Sequence, residues 1–150
     1  MVALLGSCAP LGPLSIHRET PGSRTALSVG KGQVSFVIKE AGRKIDPSRL
    51  HSIQTEVKTK EGRRVMEGLN VTDIISSGPK VARSPVVGIA LEKWDDGKLI
   101  LIQREGSYRR KVTAVRPGNS YWITLHATSR IPDTERTREA QSEACLITVH

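Results

Sequence analysis

Between positions 53 and 60 the chain alternates strictly. Ile53, Thr55, Val57 and Thr59 fall on one side, and Gln54, Glu56, Lys58 and Lys60 on the other. A period of two residues belongs to an extended strand with one dry face and one charged face, and it cannot line one side of a helix. The same alternation recurs upstream, where Val34, Phe36 and Ile38 interleave with Ser35, Val37 and Lys39. Between the two runs, Gly42 and Asp46-Pro47-Ser48 mark a connecting loop with room for a short turn of helix.

Strand signals continue to the C-terminus. Gly62 turns the chain into apolar runs at 65–69 and 71–75, and Ser76-Ser77-Gly78-Pro79 breaks the pattern. Val86 to Lys93 and the apolar run 99–102 flank Asp95-Asp96-Gly97, whose Asp-Gly pair suits the positive φ angles of a tight hairpin. A second hairpin is expected across Arg104-Glu105-Gly106-Ser107, leading into Tyr108 to Val115, then Pro117-Gly118 and a strand at 121–128. The polar segment 130–143 reads as a long loop or one short helix, and Cys145 to Val149 as the last strand. Aromatic residues are only 3% of the chain, so the core must come from Val, Ile and Leu, types that favour a pleated surface. About eight or nine strands spaced roughly ten residues apart predict an all-β fold, an antiparallel β-sandwich or barrel.

One stretch carries a resemblance to a known family. Val115-Arg116-Pro117-Gly118-Asn119-Ser120-Tyr121-Trp122-Ile123-Thr124-Leu125-His126-Ala127 resembles the E–F corner and F strand of fibronectin type III domains, and 142–149 looks like their final G strand. The resemblance covers roughly residues 108–150 and implies an Ig-like or fibronectin type III-like sandwich, with Val112 and Val115 facing inward. Pro117, Gly118 and Tyr121 would form the structural corner, the Tyr121 hydroxyl capping a free carbonyl. The first half departs from the family: its early core tryptophan has no counterpart, and Phe36 stands too far from Tyr121 in sequence to fill that place without an insertion. Such a fold would fix neither ligand nor partner.

The first 31 residues are rich in Gly, Pro and Ser and read as a flexible tail, or as a targeting segment, with the sandwich domain spanning 32–150. The opening apolar run is too short for a secretory signal, which favours an intracellular protein. No window is apolar enough to cross a membrane as a helix. Cys8 and Cys145 could pair only if the tail docked near the last strand. Asn70-Val71-Thr72 is a glycosylation sequon that would matter only in a secreted chain. The scattered histidines suggest no metal site, and no cofactor motif is present.

With 23 Lys and Arg against 15 Asp and Glu, the formal charge of +8 attracts polyanions without identifying one. The densest cluster is Arg104, Tyr108, Arg109, Arg110, Lys111 and Arg116, where guanidinium groups could pair with phosphate and Tyr108 could stack on a base. Lys58, Lys60, Arg63 and Arg64 form a second basic run. If both loops share one end of the sandwich they would make a continuous anion-binding surface. Without that, they are solvated faces that discourage edge-to-edge pairing. Asp46, Glu56 and Lys58 carry the residue types of a metal nuclease site, though the triplet is short and degenerate. Trp94 and Trp122 lie off the tidiest apolar rows, as a binding residue or a sheet-edge residue would.

The leading expectation is a non-enzymatic module whose basic loops engage nucleic acid or an anionic membrane surface, as a viral structural, matrix or movement protein would. The alternatives are a fibronectin-like protein-interaction or adhesion module and, less favoured, a metal-dependent nuclease.

Overall fold

The computed structural model describes residues 12–19, 24–65 and 84–150. Among them run eleven strands: β1 (Leu14–Arg18), β2 (Arg24–Leu27), β3 (Val34–Glu40), β4 (Arg43–Lys44), β5 (Leu50–Thr59), β6 (Val86–Lys93), β7 (Leu99–Glu105), β8 (Tyr108–Val115), β9 (Ser120–Arg130), β10 (Thr137–Gln141) and β11 (Cys145–Val149). A single 3-10 turn, Pro47–Arg49, precedes β5.

The strands form two sheets. The first runs β1-β3-β6-β7-β8, with β4 returning against β3. In the second, β9 pairs with β5 along one edge, while β10 and β11 share its other edge and β2 lies outside β11. All pairs are antiparallel except β2 with β11. Alternate residues of both sheets meet in one apolar cluster: Phe36, Ile38, Ile89, Leu91 and Leu101 from the first, Ile53, Val57, Ile123, Leu125 and Ile147 from the second. Each such side chain contributes about 1.5–3 kcal/mol by leaving water. The result is an all-β, β-sandwich-like molecule.

The expected hairpins form. β6 and β7 close through Trp94 and Lys98, with Gly97 at φ 85 donating its N–H to the Trp94 carbonyl at 2.8 Å. β7 and β8 close across Gly106-Ser107, with Gly106 at φ 60. A bulge leaves Val112 without an opposite residue, so Val112 and Val115, three apart, both reach the core.

Several expectations need correction. The stretch assigned to a tail contains β1 and β2: Ile16 joins the core from β1, and Leu27 from β2 is fully buried. A Gly-, Pro- and Ser-rich average hid two short strands with one core residue each. Segment 130–143 is neither loop throughout nor helix, because β10 pairs along β9 from Thr137 to Gln141. The last strand, β11, runs Cys145–Val149 as expected, and between β10 and β11 Ser142 takes the Leu125 N–H on its hydroxyl at 2.9 Å. At the corner the Tyr121 hydroxyl caps no carbonyl among the described residues. It accepts the Arg116 backbone N–H at 2.9 Å. Residues 66–69, the run at 71–75, the sequon at Asn70 and Cys8 lie outside the described residues, and Cys145 is buried.

Candidate functional site

The basic residues fall into groups that the sequence order did not suggest. Arg104 on β7 stands directly opposite Arg109 on β8. Two like charges so placed repel, and Glu92 from β6 resolves the conflict. Its carboxylate accepts from Arg104 Nη2 at 3.0 Å and from Arg109 Nη2 at 3.3 Å. Arg110 lies opposite Gln103 and turns to the Ile53 carbonyl at 3.4 Å and the Tyr108 hydroxyl at 3.4 Å, with its guanidinium 5.8 Å from the Tyr108 ring. Lys111 sits 5.0 Å over the ring of Trp94. These four cations already have partners, so the hairpin does not present a rim of free guanidinium groups.

Beside Arg110, a buried polar group closes the gap between β5 and β7. Gln103 donates to the Ile53 carbonyl at 3.1 Å and to the buried Glu105 at 3.0 Å, and accepts from Thr55 at 2.7 Å. Sequence reading missed it, because Gln103 and Glu105 continue the inward alternation of Leu99 and Leu101 with polar side chains.

On the outer face of β5, Glu56 is a hub. Lys58 Nζ at 3.8 Å, Arg64 Nε at 3.6 Å and His126 Nε2 at 3.6 Å surround its carboxylate. Asp46 is occupied elsewhere, capping the 3-10 turn by accepting the Ser48 N–H at 3.0 Å and its hydroxyl at 2.9 Å. Those hydrogen bonds hold the Asp46 carboxyl below its ordinary range. Since Asp46 precedes β5 and Glu56 lies well along it, about 3.3 Å per residue keeps them roughly 20 Å or more apart. The nuclease triplet does not assemble, and among the described residues no three His, Cys, Asp or Glu side chains gather as a metal site would require.

The remaining cations meet at the corner. Thr59 lies opposite Tyr121, and the chain after β5 folds back, Thr59 N–H donating to the Arg63 carbonyl at 2.7 Å and Val65 N–H to the Val57 carbonyl at 2.8 Å. On the other side Gly118, at φ 83, donates its N–H to the Val149 carbonyl at 2.7 Å, which brings the corner against β11. Between the two turns opens a cavity of about 470 Å³. Lys60 and Arg116 line it, with Glu61, Asn119, Ser120 and Tyr121. Lys60, Arg63 and Arg116 are exposed and have no ion pair among the described residues. Arg116, read with the hairpin cluster, thus belongs with the other run. Arg109 sits at the far end of β8, some 20 Å away at strand rise.

The opposite end holds a network that sequence reading did not find. Glu40, at the end of β3, accepts from Arg49 Nε and Nη2, both at 2.8 Å, and from Arg138 Nη2 on β10 at 2.7 Å. The hydrogen bonds from Arg49, then the one from Arg138, keep its carboxyl below the ordinary value of 4.5 against an opposing effect of burial. Arg138 also donates to the Gly12 carbonyl at 2.6 Å, so this clamp ties the two sheets together.

Among the described residues no helix is long and apolar enough to cross a membrane. No protein-family model matches this chain, and no curated protein matches it.

Proposed function

We propose that this chain is a non-enzymatic binding module that engages nucleic acid through the basic corner, on a sandwich of the fibronectin type III-like or Ig-like kind. The observation that carries the binding reading is the convergence of Lys60 and Arg116 on one cavity, with Arg63 on the same turn and, among the described residues, no carboxylate within ion-pairing distance of any of the three. Exposed cations free of internal partners are those that can exchange counterions for phosphates. The sandwich type draws its support from the corner itself, where a tyrosine hydroxyl reaches back to the backbone five residues upstream. One feature sits apart from that family: β8, which leads into the corner, occupies a sheet edge beside β7 and does not neighbour β3.

Fluorescence anisotropy with a short single-stranded oligonucleotide, titrated across a range of salt, tests the reading. The expected result is binding whose logarithm falls linearly with that of salt, by about 0.7 per phosphate neutralised. Absence of binding at low salt, or affinity that ignores salt, would remove it. Binding to anionic vesicles without binding to the oligonucleotide would move the function to a membrane surface.

A further inference from the structure

The corner cavity has a donor pattern that a mere basic surface does not need. Tyr121 is 5% exposed and is one of the residues that line the cavity. A phenol has one proton to give, and here its oxygen already accepts the Arg116 N–H. Among the described residues the hydrogen bond seen at this hydroxyl is the one it accepts, which leaves its proton to offer beside Lys60 and Arg116.

Three kinds of donor-bearing residue line one cavity, two of them fully charged, a set that suits an oxyanion. Yet the cavity, at about 470 Å³, is far larger than one phosphate and lies within the roughly 300–1,000 Å³ typical of small-molecule sites. Val65 and Ala114 add apolar wall, and Glu61 adds an acceptor that repels a bare anion. A ligand that satisfies all of these carries phosphate at one side and a flat body with hydroxyl or amino donors at the other. We propose that the cavity seats the phosphorylated terminal nucleotide of a nucleic-acid strand, its phosphate against Lys60, Arg116 and the Tyr121 hydroxyl, and its sugar or base edge toward Glu61. The two full charges match a terminal phosphomonoester better than a singly charged internal diester. This inference rests on the nucleic-acid reading and narrows it from strand to strand end.

The test compares one internally labelled single strand in three forms: with a 5′-phosphate, with a 3′-phosphate, and with hydroxyls at both ends. One phosphorylated form should bind about tenfold more tightly than the unphosphorylated strand. Lys60→Gln with Arg116→Gln should abolish that preference, and a nucleoside monophosphate should displace the strand at concentrations where inorganic phosphate does not. Tyr121→Phe should reduce the preference, and the Lys60 and Arg116 variant carries the test should Tyr121→Phe fail to fold. Equal affinity for all three forms overturns the seat while leaving general strand binding intact. Displacement by inorganic phosphate as effective as by the nucleotide overturns the nucleotide assignment. Failure of every strand to bind overturns the nucleic-acid reading itself.

Discussion

The two ends of β9 put the same residue types to opposite uses. Near Arg130, the clamp on Glu40 absorbs Arg49 and Arg138, and Arg130 itself donates to the Ser48 and Leu50 carbonyls at 3.2 and 3.3 Å. Near Ser120, Lys60, Arg63 and Arg116 point into solvent or a cavity with no carboxylate to hold them among the described residues. Whether a cation joins the fold or remains free for a ligand is decided by one well-placed carboxylate, and the total charge of the chain says nothing about it. Glu92 makes the same point within one sheet, where one carboxylate engages the pair of arginines that looked most like a binding site.

The comparison can be broken at either end. Glu40→Ala should have the largest effect, because it strands two half-buried guanidinium groups. A loss of about 2–3 kcal/mol is expected, below the full cost of a deeply buried pair because the arginines retain some solvent. Urea unfolding should show the midpoint fall with little change in slope. The same residue sets an acid limit. Its folded carboxyl titrates below 4.5, so its stabilisation is complete above that value and is lost as pH falls through the lowered one. Stability measured between pH 6 and pH 3 should therefore converge for the parent and Glu40→Gln, and a constant gap would contradict the clamp.

At the corner, Lys60→Gln with Arg116→Gln should weaken oligonucleotide binding about tenfold, roughly 1.4 kcal/mol, and reduce the salt slope by between one and two. Unfolding free energy should stay within about 0.5 kcal/mol of the parent, since neither side chain has an internal ion-pair partner among the described residues. Tyr121→Phe is the smallest of these effects. Losing the acceptor for the Arg116 N–H should cost about 1 kcal/mol in chemical denaturation, and a neutral substitution would show that the corner does not depend on this hydrogen bond.

The strands were legible wherever apolar residues alternated against polar ones, as in β5, or where a turn carried its own chemistry, as at Gly97 and Gly106. β1 and β2 were not, because each owes its place to pairing with a distant strand and buries a single core residue, Ile16 or Leu27. β10 was hidden by its polarity: it is an edge strand held by the ladder on β9 and by Arg138 reaching Glu40. The charge clusters were legible as composition only. That Arg104 would stand against Arg109 follows from the register of β7 and β8, and that Arg116 would meet Lys60 follows from β9 lying beside β5; Glu92 is reached along the sheet by the long arginine side chains, since its own register partner is Ile100. Pairing registers of this kind leave no local mark in a sequence. The corner tyrosine was found, but the direction of its hydrogen bond was not, since a phenol can give or take equally well.

A charge-matched comparison tests the central claim most directly. Two variants each lose two positive charges, Lys60→Gln with Arg116→Gln at the corner and Arg104→Gln with Arg109→Gln at the hairpin, and both are titrated with the same oligonucleotide at one salt concentration. The corner variant should lose about tenfold in affinity while the hairpin variant stays within about twofold of the parent. Equal losses would mean that binding follows net charge alone, and the distinction between engaged and free cations would fail.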